Sequence, residues 1–122
     1  MSKILIVDDS ALSRRMLRSI LEGAGHAVVE AEDGLSALER FTLDRPDLTL
    51  LDLTMSGMHG FEVLEKMREV EPGVKVIVAS ADIQKSSYEM AAAKGGQGFI
   101  HKPFESDQVL EVVNSVLKGD SA

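Results

Sequence analysis

Apolar residues in this chain fall into short blocks that alternate between two periodicities. The first block, Ile4-Leu5-Ile6-Val7, follows Lys3 without a break and ends at two carboxylates, Asp8 and Asp9. Apolar residues at consecutive positions suit a strand buried on both faces, as in a parallel sheet. Ser10 has the chemistry of a helix cap. After it Leu12, Met16, Leu17, Ile20 and Leu21 recur at helical spacing and predict an inward stripe, with Arg14, Arg15 and Arg18 largely off it. Gly23 to Gly25 marks the end of that helix. The alternation then repeats, with strands predicted over 26–32 and 47–52 and a helix over 35–43 between them. A third helix is expected over 60–70, with Phe61, Leu64 and Met67 inward, stopping before Pro72-Gly73. Residues 74–79 form the most strand-like run. A weaker fourth helix over 85–94 is stopped by Gly95-Gly96, a short strand follows over 98–101, and a last helix over 105–118 turns Val109, Val112, Val113 and Val116 inward.

Five strands alternating with five helices through short loops predict βαβ units, hence an α/β fold with a mostly parallel sheet and helices on both faces. The 122 residues suit one domain over 1–122, with its core at about 3–118 and a frayed tail from Gly119. Periodicity leaves the strand order open. Composition narrows the function instead. There is no cysteine, which excludes a disulfide framework, a thiolate zinc site and Cys nucleophile chemistry. Thirteen basic against twenty acidic residues give a net charge of −7, poorly suited to a phosphate backbone, so no nucleic-acid partner is expected. No apolar run reaches the roughly 18 residues that a membrane span needs, and the first residues lack a signal-peptide pattern. A cytoplasmic protein with no membrane partner is expected.

The candidate chemistry sits where the strands end. In open sheets of this type, sites form beyond the carboxyl ends of the strands, at the point where the strand order reverses. The first strand ends in Asp8-Asp9, the third in Asp52, the fourth in Ala79-Ser80-Ala81-Asp82 and the fifth in His101-Lys102-Pro103. If the first and third strands are neighbours, their ends lie about 4.8 Å apart and three carboxylates converge. Their mutual repulsion calls for a cation. An acidic, all-oxygen and partly open site suits Mg²⁺. The Lys102 ammonium is placed to neutralise either the carboxylates or a phosphoryl group, and Pro103 restricts its direction.

Four motifs together carry a resemblance: Ile-Val-Asp-Asp-Ser at 6–10, Leu-Leu-Asp-Leu at 50–53, Val-Ala-Ser-Ala at 78–81 and Lys-Pro-Phe at 102–104. Over residues 3 to about 117 the chain resembles the receiver domains of two-component response regulators, above all the stand-alone CheY-like type. The resemblance implies a doubly wound, flavodoxin/CheY-like sheet of five parallel strands in the order 2-1-3-4-5 with five helices. It implies that Asp52 is the phosphoacceptor and that Asp8, Asp9, Asp52 and the backbone carbonyl of Thr54 hold Mg²⁺. Ser80 would hydrogen-bond the phosphoryl oxygens, Lys102 would pair with the phosphoryl group, and Phe99 would be the aromatic that turns inward when Ser80 moves. The implied function is a phosphorylation-dependent switch rather than an enzyme, with self-phosphorylation and slow autodephosphorylation only. Its implied partners are a sensor histidine kinase, a phosphatase, and a target protein at the face of the fourth helix, fifth strand and last helix, where Tyr88, Phe99 and His101 lie. A monomer is expected.

Some residues depart from the family's pattern. Ser56 stands where a Pro is usual, Phe99 where Tyr is common, and Gly95-Gly96-Gln97-Gly98 is Gly-rich enough to loosen the end of the fourth helix. His59 reads as a surface loop residue. Thr54 and Asp82, each two residues past a motif position, are candidates for tuning acyl-phosphate lifetime, and the Arg14, Arg15 and Arg18 face of the first helix is a candidate kinase-docking surface. Two other functions stay in view. A Mg²⁺-dependent phosphohydrolase with an Asp nucleophile would carry a second Asp shortly after it, where Leu53 and Thr54 stand, and would need a substrate cap. A flavin or nucleotide module would need a Gly-rich first turn, where Asp8-Asp9-Ser10 stands. Within the receiver reading, a phosphate-independent or phosphorelay receiver cut from a longer regulator is the alternative.

Overall fold

The computed structural model describes residues 2–53, 60–80, 89 and 91–119. Five strands, β1 (Lys3–Val7), β2 (Ala27–Ala31), β3 (Leu48–Asp52), β4 (Val76–Ser80) and β5 (Gly98–His101), form one parallel sheet in the order β2-β1-β3-β4-β5. The helices are α1 (Ala11–Gly23), α2 (Gly34–Asp44), α3 (Gly60–Val70) and the C-terminal α4 (Ser106–Leu117). Glu89 and residues 91–93 are also helical and belong to the helix predicted over 85–94. The doubly wound five-stranded architecture that the resemblance implied is therefore the one the chain adopts.

The apolar runs explain the layers. Side chains alternate across each strand, so Leu5, Val7, Leu51, Val76 and Val78 face one way, and Ile4, Ile6, Leu48, Leu50 and Ile77 face the other. The first set packs with Phe41 of α2, Val63, Leu64 and Met67 of α3, and Ala91. The second packs with Leu17 and Leu21 of α1 and Val109, Val113 and Val116 of α4. Side-chain caps fix two helix starts: Ser10 Oγ accepts from the Ser13 N–H at 3.2 Å, and Asp33 Oδ1 from the Ser36 N–H at 2.8 Å. The Ser36 bond holds the Asp33 carboxyl below its ordinary pKa.

Two expectations change. Leu12 and Met16 were placed on the inward stripe of α1 but are 62% and 38% exposed. The buried stripe is centred on Leu17 and Leu21, and at about 100° per residue Met16 and Leu12 lie about 100° and 140° round from Leu17. β4 begins at Val76 rather than Val74, because Val74 closes a turn, its N–H donating to the Glu71 carbonyl at 3.0 Å. The Gly-rich end of the helix predicted over 85–94 is tied down at several points. Gly96 and Gln97 donate to the carbonyls of Ala91 and Val76, both at 2.8 Å, and Arg68 of α3 donates to the Lys94 carbonyl at 2.8 Å.

Thr49 is buried near the start of β3, and its Oγ1 has no hydrogen-bond partner among the described residues. A hydroxyl buried without a partner costs free energy that a methyl of similar size does not. Thr49→Val is expected to raise unfolding stability by about 1 kcal/mol, read as the difference between two urea titrations. Equal or lower stability would count against this account.

Candidate functional site

The strands are largely apolar through the core, and polar side chains gather at the carboxyl ends of β1, β3 and β4. Pairing of β1 with β3 runs to Val7 opposite Leu51, so Asp8 and Asp52 come next on neighbouring strands. Both carboxylates are almost fully buried, as is Ser80 at the end of β4, whereas Asp9 is exposed. Oxygens of Asp8, Asp9 and Asp52 all lie within 4.8 Å of one another. Ser80 pairs in register with His101, and the Lys102 N–H donates to the Ser80 carbonyl at 3.0 Å. That bond ties the backbone of Lys102 to the end of β4 as its side chain enters the pocket, and the following Lys102–Pro103 peptide is cis.

One ammonium serves two carboxylates. Lys102 Nζ lies 2.9 Å from Asp8 Oδ2 and 3.4 Å from Asp52 Oδ2, while Asp8 Oδ1 accepts from the Ser10 N–H at 2.8 Å. Burial pulls the Lys102 pKa down, but the bond to Asp8 and the charges of Asp52 and Asp8 outweigh it and raise the pKa above its ordinary value. Lys102 is therefore fully cationic at neutral pH. Three close carboxylate oxygens, two on buried residues, make a hard, anionic, all-oxygen donor set that fits a hard divalent cation.

The structure brings Asp8, Asp9, Asp52, Ser80 and Lys102 to one end of the sheet, where the sequence had them. Phe99 lies half-buried against the α2–α3 side of the core, edge-on to the His101 ring at a centroid distance of 5.4 Å. Thr54, Ser56, His59, Asp82 and Tyr88 lie outside the described residues. The basic face of α1 is only partly available. Arg14 Nε and Arg18 Nε both donate to the Glu30 carboxylate on β2, at 3.0 and 2.5 Å, and only Arg15 of the three is exposed. The Glu30 bond raises the Arg18 pKa against burial, with further help from the charges of Glu30 and Glu22.

Gly60 was read only as the start of a helix. A Cβ there would lie 2.7 Å from both the Asp52 carbonyl oxygen and the Leu53 Cα. Glycine at this position lets α3 begin directly against the backbone of Asp52. A glycine at the head of a predicted helix was the available signal, but the close approach that requires it is a long-range packing fact.

A doubly wound parallel sheet with an acidic pocket and a paired lysine at its switch point defines a class of α/β protein. Comparison with known sequences makes the class specific: the pattern of the response regulator receiver domain matches residues 4–114. The chain belongs to that family, the CheY-like receivers of two-component signalling. It is 40% identical over 119 residues to the chemotaxis protein CheY of Listeria monocytogenes, covering 97% of this chain and 100% of the relative. It is 34% identical over 115 residues to sporulation initiation phosphotransferase F of Bacillus subtilis, covering 94% and 93%. Among solved structures, the CheY-like receiver domain protein of Methanospirillum hungatei superimposes with a TM-score of 0.90 at 28% identity, covering 98% of this chain and 95% of that one.

A raised lysine pKa stabilises the fold most below the ordinary value of 10.5, and the effect is lost as pH rises through the higher folded value. Replacing Lys102 with Met leaves two buried carboxylates without their ammonium. Removing one partner of a buried pair costs about 3–5 kcal/mol, and since Lys102 retains some exposure, Lys102→Met is expected to cost about 2 kcal/mol. The stability gap between wild type and variant, measured by denaturant titration in metal-free buffer, should stay flat from pH 7 to about pH 10 and narrow above that. A gap that varies through the neutral range would refute the assignment.

Proposed function

We propose that the chain is a phosphorylation-dependent signalling switch in which Asp52 accepts a phosphoryl group from a sensor histidine kinase. The observation that carries this reading is the burial of the Asp52 carboxylate within reach of both a lysine ammonium and two further carboxylates. A carboxylate oxygen of Asp52 attacks phosphorus, the bond to the donor's leaving group breaks, and an acyl phosphate forms. Lys102 moves its charge from the carboxylate pair to the phosphoryl oxygens, and the Ser80 hydroxyl donates a hydrogen bond to one of them. Asp8, Asp9, Asp52 and the Thr54 carbonyl would hold Mg²⁺. When bound, Mg²⁺ neutralises the charge of the transferring group. Water later cleaves the acyl phosphate, so the turnover is that of a switch with slow autodephosphorylation.

The phosphoryl group adds a charge of about −2 and new acceptors in one pocket. Contacts that exist only in the phosphorylated state shift a two-state equilibrium. Movement of Ser80 toward the phosphoryl group leaves space into which Phe99 turns, changing the face that β5 shares with the helices beside it. That face is where a downstream protein binds, and a phosphatase resets the switch. The receiver unit is proposed to span residues 1–122 with its core at 3–118, acting as a cytoplasmic monomer without nucleic-acid or membrane partners. No described helix is long and apolar enough to cross a membrane. The relationship to sporulation initiation phosphotransferase F favours a second reading, a phosphorelay intermediate that passes the phosphoryl group on. The two differ in the fate of the group: in a relay it appears on a histidine of a second protein, and in a switch it is lost to water.

Intact-protein mass after incubation with acetyl phosphate tests the chemistry. One added phosphoryl group is expected with Mg²⁺, and none with EDTA or in Asp52→Asn. An unmodified wild type, or an adduct that survives either control, would overturn the reading. Kinase docking on α1 is narrowed to its free charge: Arg15→Glu is expected to slow transfer from the kinase by about tenfold, equivalent to about 1.4 kcal/mol, while leaving acetyl phosphate labelling unchanged. Unchanged kinase transfer would reject that docking surface.

A further inference from the structure

We infer that Arg14 is a positioning residue for the cation site: it fixes the peptide unit that carries Asp8 and Asp9, although it touches neither carboxylate. This inference rests on the proposed Mg²⁺ site and adds to it a residue from outside the acidic pocket.

The geometry begins where the sheet stops. Strand pairing ends at Val7, so the backbone of Asp8 is the first to lose its ladder partners on the β3 side. Its N–H still donates to the Ala31 carbonyl at 3.1 Å. Its carbonyl is taken by Arg14, whose Nη1 donates to it at 2.6 Å. The guanidinium is in turn aimed from behind, since Arg14 Nε donates to Glu30 Oε1 at 3.0 Å. Glu30 cannot easily turn away, because its other oxygen accepts from Arg18 Nε and it stands on β2 in register with Ile6. The Arg14 side chain is only 15% exposed, so this is a partly buried, charge-assisted clamp rather than a surface pair.

The clamp acts on the linkage where orientation matters. The Asp8 carbonyl belongs to the peptide that joins Asp8 to Asp9, and rotation of that peptide would swing the exposed Asp9 away from its buried neighbours. Carboxylates that repel one another favour such a swing. Lys102 offsets the repulsion between Asp8 and Asp52, and Arg14 holds the peptide leading to Asp9. Groups that orient ligands in this way typically change metal affinity by 10- to 100-fold when removed.

At Arg14 charge and position predict opposite outcomes, which makes its substitution the decisive one. Removing a nearby cation through its charge alone strengthens Mg²⁺ binding by an acidic site, whereas removing the clamp weakens it. Mg²⁺ is titrated calorimetrically into the whole chain for wild type, Arg14→Met, Arg14→Lys and Glu30→Gln, with metal-free melting temperatures measured alongside. The expected result is Mg²⁺ affinity lowered about tenfold in Arg14→Met, lowered in Glu30→Gln, and partly restored in Arg14→Lys. Unchanged or tighter binding in Arg14→Met overturns the inference while the Mg²⁺ site stands. A wild type that binds no Mg²⁺ overturns both. Should Arg14→Met fail to fold, Arg14→Lys decides alone, because it keeps the charge and loses the fork that reaches the Asp8 carbonyl and Glu30 together: binding weaker than wild type supports the clamp, and wild-type binding overturns it.

Discussion

Carboxylates forced together at one end of a sheet repel, and that repulsion is the constraint around which this molecule is arranged. Two unit charges 4 Å apart in partly buried surroundings interact by about 4 kcal/mol, a large share of the net stability of a domain. Asp8 and Asp52 cannot escape it by turning outward, because the parallel register of β1 and β3 delivers both into the pocket and burial closes over them. Lys102 offsets the repulsion from across the sheet. Its ammonium reaches from the end of β5, two strands beyond β3, to both carboxylates at once. The outermost strand of one edge thus secures the centre of the other half.

The apolar core makes that arrangement rigid. β3 and β4 are buried at every residue, with packed side chains on both faces of the sheet. A sheet held between two apolar layers has little freedom to splay its strand ends and dilute the charge. The polar bonds at the strand ends then do finer work. Ser10 fixes one oxygen of Asp8, Lys102 the other, and Arg14 the carbonyl behind them. Gly60 lets α3 start against the Asp52 backbone, where any side chain would push it out of place.

Much of this was legible in the sequence, for a definite reason. The unbroken run at Ile4–Val7 and the carboxylates that end it are local signals, and strand-end position follows from the fold class, so Asp8, Asp9, Asp52, Ser80 and Lys102 could be named without coordinates. The strand order could not be read from periodicity, because pairing partners are set by packing across the whole chain; it came with the family resemblance. The α1 stripe failed for a related reason. Leu12 and Met16 satisfy helical spacing in general, yet which arc of a helix is buried depends on the neighbour it meets. Arg14 gave no local sign of its role, since its partners Asp8 and Glu30 are joined to it only through the fold.

The pairing of Lys102 also says what can and cannot control a switch of the proposed kind. Its pKa is raised, so physiological changes of pH leave the ammonium charged. Loss of the lysine's proton is therefore a poor trigger at this site. What would alter the balance is a competitor for the same charges: a cation held by the three carboxylates would release the ammonium, and the proposed phosphoryl group on Asp52 would give it a new partner. Both events act on one side chain whose backbone N–H donates to the Ser80 carbonyl and whose neighbour His101 lies edge-on to Phe99. The charge rearrangement in the pocket and the aromatic face on β5 are thus separated by a single strand end. A signal of the proposed kind, made at Asp52, would have only that short stretch of chain to cross.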